Sequence, residues 1–330
     1  MISPCEARIP RAAIYLAVFV STPGRRYHAL GALASSNKLS QAYRDIAARS
    51  NLLDRWPDSR KFCQDCLVYD EASNSYELPT FSDGQGPLGV FGFLQDNQSA
   101  QGVMGPCDII FAEFCSKVKS DILNNDSSLS RAMDRWILHP PPSSQHISVA
   151  ILQEHVSSLR EQADIDNWKP IPHSSIQLLA RSLMLEHQSK IQVAPELELD
   201  SLLWTPDGAL IAGFLDTTSE QSFDKLRSSS RRIGRDVLGH VLTTRPKNLI
   251  HATIGRVVGL PPGCSPNQLK MLTCLAQEYN ERILPDAVVN IKTQTPSFTL
   301  DELTLARNIV WMLKEYLVYQ SWSLSSFRDS

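Results

Sequence analysis

Two short segments of the chain combine an apolar face with a polar pair. The first carries His146 and Ser148, the second carries His251 and Thr253, and the residues that alternate with them are apolar. Because successive side chains of a β-strand point to opposite faces, each histidine shares one face with the hydroxyl residue two positions later. A buried polar group costs free energy unless it has a partner. One such strand fits a core histidine bonded to its neighbouring hydroxyl, whereas two of them indicate a paired site.

Apolar residues elsewhere in the chain recur with two spacings. Recurrence at i, i+3 and i+4 predicts helices, and alternation at every second position predicts strands. Thr205-Pro206-Asp207-Gly208 predicts a hairpin turn. The predicted helices are Leu39–Leu53, Cys107–Leu123, Ser174–Gln188, Glu220–Leu238 and Pro266–Ile283. The predicted strands are Leu88–Leu94, Ser144–Leu152, the hairpin Glu196–Leu215, Asn248–Val258, Ala287–Thr293, Phe298–Ile309 and Glu315–Leu324.

The order of these elements predicts the fold class. A strand, a helix and a histidine strand come first, and the same succession follows in the second half of the chain, which indicates two similar halves. We therefore expect an α+β fold in which each histidine strand belongs to its own half.

Residues 1–80 are predicted to form an N-terminal extension with one helix and a candidate targeting segment, followed by one domain at residues 81–330. The Gly/Pro-rich stretch Thr80–Gly89 marks the boundary. Ala12–Val20 is apolar and follows arginines, like a signal-peptide core, and Arg25–Arg60 has the composition of an organellar transit segment. A surface extension or a first core strand fits equally well. Because no candidate catalytic group lies here, we expect a chain that begins near Phe81 to retain activity.

Composition excludes some classes of protein. The 330 residues, 42% hydrophobic and 20% charged, fit a soluble globular protein with a substantial core. No apolar run approaches the ~20 residues that span a bilayer, so we expect no membrane partner. A net charge of -3 gives no global attraction for nucleic acid, and any anion site must be local. Seven irregularly spaced cysteines indicate a reducing compartment, in the cytoplasm or an organelle. Cys63 and Cys66 form a lone CxxC, which is more often incidental than a zinc or redox site.

The two polar strands carry a resemblance to a known family. His146-Ile147-Ser148-Val149 and His251-Ala252-Thr253-Ile254 resemble the paired His-x-Ser/Thr-apolar signature of the 2H phosphoesterase superfamily, the LigT-like RNA ligase/cyclic phosphodiesterase group. The first motif has serine where threonine is common, and serine keeps the hydroxyl. The resemblance covers roughly residues 85–325. It implies a bilobal fold, with two βαβ-type lobes whose antiparallel sheets surround a central cleft and whose motif strands lie side by side.

The resemblance also implies a function for the four residues. His146 and His251 would be catalytic, one as base and one as acid, in the opening of a cyclic phosphate on an RNA end or a nucleotide. Such a pair suits proton transfer near neutral pH. The hydroxyls of Ser148 and Thr253 would bind the non-bridging phosphate oxygens. No metal or other cofactor is needed, and we expect a monomer.

The sequence also fits other functions. The same fold can serve as a non-catalytic RNA- or nucleotide-binding module, although a binder has no need of both histidines. A histidine-ligated metal lacks a third ligand at useful spacing. Arg227, Arg231 and Arg235 lie on one helical stripe, which fits a solvated face or a track for a phosphate backbone.

Other polar and aromatic residues fit structural roles better. Arg256 follows Thr253 by three positions, so a regular strand directs it away from the histidines. Tyr316, Tyr319 and Trp322 could stack on a base, but core packing explains them as well. The remaining histidines have no partner pattern and are expected to be structural or exposed.

Overall fold

Helices and strands alternate along the chain largely as the apolar pattern predicts. The computed structural model describes residues 38–47, 68–70, 75–77, 80–81, 86–154, 168–239, 249–261, 263–310 and 315–324. The apolar segment Ala12–Val20 and the CxxC pair lie outside these residues, whereas residues 38–47 fall within the candidate transit segment Arg25–Arg60. The helices are α1 (38–47), α2 (Gln98–Lys117), α3 (Ser127–Met133), α4 (His173–Lys190), α5 (Ser222–Leu238), α6 (Pro266–Glu278) and α7 (Leu284–Gln294).

The strands are β1 (Val68–Asp70), β2 (Ser75–Glu77), β3 (Leu88–Phe93), β4 (Ile137–Leu138), β5 (His146–Gln153), β6 (Glu196–Trp204), β7 (Ala209–Asp216), β8 (Ile250–Val257), β9 (Ser297–Thr299), β10 (Glu302–Val310) and β11 (Glu315–Ser323). Strands β1 and β2 form a separate hairpin. Within the described residues, the other nine strands form one sheet in the order β11-β10-β3-β5-β8-β7-β6-β9, with β4 paired to β8.

The sheet divides into two antiparallel lobes at its centre. The first lobe is β11-β10-β3-β5 and the second is β8-β7-β6-β9. Neighbouring strands inside each lobe pair over most of their length. By contrast, β5 and β8 meet at the single register pair Ile147–Ala252. The predicted α+β class and the bilobal arrangement with adjacent motif strands are therefore confirmed.

The large helices cover the back of the sheet, and two of them cross between lobes. Helix α2 follows β3 of the first lobe but packs on β8 and β9 of the second, whereas α5 follows β7 of the second lobe and packs on β5 of the first. Helix α4 packs on α5, and α7 packs on β6. One core unites these elements, because the back-facing residues of both lobes belong to a single buried cluster.

Local side chains explain where several helices begin and end. Asn97 accepts a hydrogen bond from the backbone N of Ala100 at 2.9 Å, so α2 begins at Gln98, well before the predicted Cys107. Ser265 and Gln268 form a capping box at the start of α6. Gly239 adopts a φ of 72° and ends α5, in the left-handed conformation that favours glycine.

Two strand predictions near the C-terminus are corrected. Ala287–Thr293 was expected to be a strand, but it lies inside α7. The buried residues of α7 are Leu284, Val288 and Ile291, which follow helical spacing. The predicted strand Phe298–Ile309 is divided into β9 and β10, which pair with different lobes. Across the described residues, no helix has both the length and the apolar character to cross a membrane.

Candidate active site

The register of the central strands brings the four predicted residues together. Strands β5 and β8 run antiparallel, with Ile147 opposite Ala252. Continuing this register by one residue on each side places His146 opposite Thr253 and Ser148 opposite His251. Side chains at opposite positions of an antiparallel pair point to the same face, with Cβ atoms about 4.5–5.5 Å apart. All four side chains therefore share one face at the junction of the lobes, here called the histidine face.

Burial along the two strands supports this assignment. The four polar side chains are partly exposed. The residues that alternate with them are buried against the helices on the back of the sheet: Ile147, Val149, Ala252 and Ile254. The apolar faces thus fix the sheet to its core, and the polar faces are left accessible to a ligand.

His146 is held in one orientation by two contacts. Its Nδ1 lies 2.7 Å from the backbone oxygen of Ser144. A carbonyl only accepts hydrogen bonds, so Nδ1 carries a proton and donates it, and in the neutral ring the lone pair belongs to Nε2. The Phe91 ring meets the imidazole edge-on, with centroids 5.1 Å apart. This arrangement fixes both the tautomer and the ring plane.

Aromatic residues line the first lobe on the histidine face. Phe91 and Phe93 on β3 pair with Ser148 and His146 on β5. Phe93 stacks on Tyr316, with ring centroids 4.6 Å apart and an interplanar angle of 18°. Burial raises the pKa of the Tyr316 hydroxyl, as does the nearby carboxylate of Asp96. Together these rings form an apolar wall beside His146, in which Phe93 and Tyr316 lie nearly parallel.

The other two C-terminal aromatics have different surroundings. Trp322 is buried in the core, where its ring lies 5.6 Å from that of His187. Tyr319 packs against the same core. Of the three aromatics considered for base stacking, the structure thus places Tyr316 on the histidine face and the other two against the core.

On the second lobe, the histidine face is covered by α1. Tyr43 is fully buried and packs with Leu203, Ala209 and Ile211. Ile211 pairs with Thr253 across β7 and β8, so this cluster lies on the histidine face. The second half of the face is therefore bounded by a segment from the N-terminal region.

Arg227 joins the two motif strands from behind. Its Nε donates to the oxygen of Val149 on β5 at 3.1 Å, and its Nη2 donates to the oxygen of Leu249, just before β8, at 2.8 Å. Burial lowers its pKa to about 10, so the side chain stays charged at neutral pH. The interpretation of Arg227 as part of a phosphate track is wrong, because it is 5% exposed and faces the core. Arg235, in contrast, is exposed.

Arg256 and two histidines outside the motifs make contacts that fit structural roles. Arg256 binds the β6–β7 turn through the backbone oxygen and the carboxylate of Asp207, each at 2.7 Å. A register shift in the β7–β8 ladder interrupts the regular alternation and pairs Arg256 with Ala209, so the expected direction away from the histidine face does not follow. His187 is buried between α4 and α5, within 3.1 Å of the Ser230 hydroxyl, and burial lowers its pKa to about 4. His139 lies 3.2 Å from Asp108 at the surface.

Carboxylates lie beside Phe93, where β3 ends. A pocket of about 370 Å³ opens beside Phe93 and is lined by Asp96, Asp301 and Glu302 among other residues. Negative charge here disfavours a phosphate chain on this side of the histidines.

Among the described residues, no three histidine, cysteine or acidic side chains are grouped in a way that could hold a metal.

Sequence reasoning missed several residues around the histidines. Tyr43, Phe91, Phe93 and the bridging role of Arg227 were not predicted. One signal was present: Gly213 lies in the interior of a predicted strand, where glycine often marks the close approach of another group. In the structure, that group is the ring of Tyr43.

The structure is similar to several solved structures. One is described as a phosphoesterase, with 12% identity, coverage of 72% of this chain and 98% of the other, and a TM-score of 0.32. A second comes from Thermus thermophilus, with 14% identity, coverage of 72% and 97%, and a TM-score of 0.36. A third is E. coli LigT complexed with 3'-AMP, with 12% identity, coverage of 72% and 98%, and a TM-score of 0.32. The sequence matches no protein-family model and no curated protein.

Proposed function

We propose that the protein is a metal-independent phosphoesterase that opens cyclic phosphates on RNA ends or nucleotides. The observation that carries the proposal is the antiparallel register of β5 and β8. Extended by one residue on each side, this register supports an arrangement in which the side chains of His146, Ser148, His251 and Thr253 share one face of the sheet.

Two histidines supply every proton transfer that the hydrolysis requires. A neutral imidazole removes a proton from water as the water oxygen bonds to phosphorus. A protonated imidazole donates its proton to the ribose oxygen as the bond from that oxygen to phosphorus breaks. Because Nδ1 of His146 is bonded to the backbone oxygen of Ser144, Nε2 is the nitrogen that accepts the proton if His146 is the base and donates it if His146 is the acid. Which histidine is the base depends on the direction of the reaction.

Ser148 and Thr253 stabilise the charge that develops on phosphate. Their hydroxyls donate hydrogen bonds to the non-bridging oxygens, whose charge grows towards the transition state. The aromatic wall of Phe93 and Tyr316 offers a flat surface for the base of the substrate. The carboxylates beyond it favour a small nucleotide or a short RNA end over a long strand on that side.

The test is turnover of defined cyclic phosphates by point variants. Oligonucleotides with a 2′,3′-cyclic phosphate, 2′,3′-cyclic mononucleotides and 2′,5′-linked oligonucleotides form the substrate panel. His146→Ala and His251→Ala should each reduce turnover by about 10²–10⁴-fold, the usual contribution of a positioned proton-transfer group. Combining them should cost less than both losses together, since the pair acts as a unit. The matched control is His173→Ala, at an exposed histidine on α4.

Further measurements separate this function from its alternatives. The rate should depend on pH as a bell-shaped curve, because one histidine must be neutral and the other charged. Chelators should leave the rate unchanged. Full activity in either histidine variant, or inhibition by a chelator that a divalent ion reverses, would contradict the two-histidine scheme. Binding of the panel without turnover would instead identify a non-catalytic nucleotide-binding module.

The hydroxyl residues have their own expected outcome. Ser148→Ala and Thr253→Val should keep the fold and lower kcat. Loss of one donor to a developing oxyanion costs about 2.7–4 kcal/mol in a water-excluded site, and the partly exposed face here should show less. An unchanged kcat in both variants would remove these hydroxyls from the proposed site.

A further inference from the structure

An aromatic ring lies beside the motif strand on each lobe, but the two rings come from different parts of the chain. On the first lobe, Phe93 pairs with His146 in the sheet, and its ring lies 6.0 Å from the imidazole. On the second lobe, the residue paired with His251 is Gly213, which has no side chain. The ring of Tyr43 occupies the space above this glycine.

The fit between Tyr43 and Gly213 is close. A Cβ added to Gly213 would lie 2.6 and 2.7 Å from two atoms of the Tyr43 ring, distances that real Cβ atoms essentially never show, and 3.0 Å from a third. Glycine weakens a strand interior because it has no side chain to pack. Its presence next to His251 is explained by the ring that it admits.

The hydroxyl of Tyr43 binds the backbone of β7 and β8. It donates to the oxygen of Ile250 at 2.6 Å and accepts from the nitrogens of Ile250 and Phe214, each at 3.2 Å. Phe214 and Ile250 form the last register pair of the β7–β8 ladder, and Ile250 directly precedes His251. The hydroxyl therefore sets the backbone from which the His251 side chain projects.

Helix α1 is fixed at a second point. The Ser40 hydroxyl donates to Asp200 on β6 at 2.7 Å. Leu39 and Ile46 pack on the same apolar cluster as Tyr43. The helix thus covers the second lobe as a wall that is bonded to the sheet through both polar and apolar contacts.

We propose that Tyr43 is a positioning residue for His251 and that α1 forms the wall of the site on the second lobe. This inference rests on the proposed function of His251. It reverses the expectation that a chain beginning near Phe81 retains activity, since such a chain would lack the ring over Gly213 and the bonds to Ile250.

The test compares tyrosine-to-phenylalanine changes in the full-length protein. Tyr43→Phe keeps the ring and removes the hydroxyl, so the fold is expected to persist. We expect kcat to fall by about tenfold with KM little changed, the equivalent of about 1.4 kcal/mol. The imidazole nitrogen resonances of His251, and the pH at which they titrate, should shift as well. The control is Tyr279→Phe, at a tyrosine that is 3% exposed and packs on Phe114, in the core on the back of the sheet. It should move neither readout.

A second variant probes the ring. Gly213→Ala displaces the ring of Tyr43 and should also shift the His251 resonances. Unchanged His251 resonances and kcat in Tyr43→Phe would overturn the inference, as would equal effects of Tyr43→Phe and Tyr279→Phe. The resonances are measured without substrate. If the wild type opens no cyclic phosphate, the proposed function fails, whereas the resonances still decide whether Tyr43 positions His251.

Discussion

Replacement of Arg227 should separate the two motif strands. Beyond the pair Ile147–Ala252, β5 and β8 have no further register pair, and the guanidinium of Arg227 bridges them through the oxygens of Val149 and Leu249. Arg227→Met keeps a long apolar stem but removes both donors. The register pair Ile147–Ala252 would then join the strands without the guanidinium bridge.

The size of the effect follows from the groups that lose partners. A buried carbonyl without a donor costs about 1–3 kcal/mol, so the two oxygens together cost about 2–6 kcal/mol. Methionine has no charge to desolvate, which offsets part of this loss. We expect the free energy of unfolding to fall by about 2–4 kcal/mol. A relative displacement of the histidines by about 1 Å should reduce kcat by about 10²-fold.

Two measurements test this prediction. Urea denaturation at pH 7 gives the free energy of unfolding, and steady-state kinetics on the folded variant gives kcat. The control is Arg231→Met, one turn later on the same helix and half-buried, which should change stability by less than about 0.5 kcal/mol. A loss no larger in Arg227→Met than in Arg231→Met would refute the bridging role. Lower stability with an unchanged kcat would show that Arg227 does not align the histidines.

Two further predictions concern stability. Burial lowers the pKa of His187 from 6.5 to about 4, so between these pH values the unfolded chain binds more protons than the folded chain. The contribution of neutral His187 to stability should therefore be fully present above pH 6.5. As the pH falls towards 4, the free energy of unfolding should decrease by up to about 1.4 kcal/mol per pH unit. Urea denaturation at pH 7 and 4.5 should show a smaller pH effect in His187→Gln; an equal effect would contradict the assignment. Gly255→Ala should lower the free energy of unfolding by about 1–3 kcal/mol, because its Cβ would overlap the ring of Phe111. The control Gly105→Ala, in a helix with open space, should stabilise by about 0.5–1 kcal/mol, and similar results for the two glycines would contradict the packing argument.

Elements with a clear apolar period were predictable from the sequence. The alternation around His146 and His251 identified two strands with polar pairs on one face, and the structure places those pairs on the same face of the sheet. The segment Ala287–Thr293 was misassigned because a short apolar run fits both the helical spacing and the alternation of a strand. Its helical form depends on continuity with the preceding turn, Tyr279–Ile283, which leads directly from α6 into α7.

Contacts between distant residues were not predictable in this way. Tyr43 and Phe214 are 171 positions apart, and the pattern of α1 resembles that of any amphipathic surface helix. The apolar pattern of α5 gives no indication that Arg227 faces inward, because arginine is almost never fully buried without partners. Its partners here are the backbone oxygens of Val149 and Leu249. Every residue has a backbone oxygen, so the sequence does not indicate which of them will bind an arginine.

The exchange of helices between the lobes has a consequence for synthesis of the chain. Strands β3 and β5 are synthesised first, but the helix that covers β5 follows much later, and β10 and β11, which complete the first lobe, follow the whole second lobe. Neither lobe can bury its apolar face from one continuous stretch of sequence. We therefore expect the protein to fold slowly, once both lobes have been synthesised, through contacts of high sequence separation. Until then, the exposed edge of β3 is a site at which a nascent chain can aggregate or bind a chaperone.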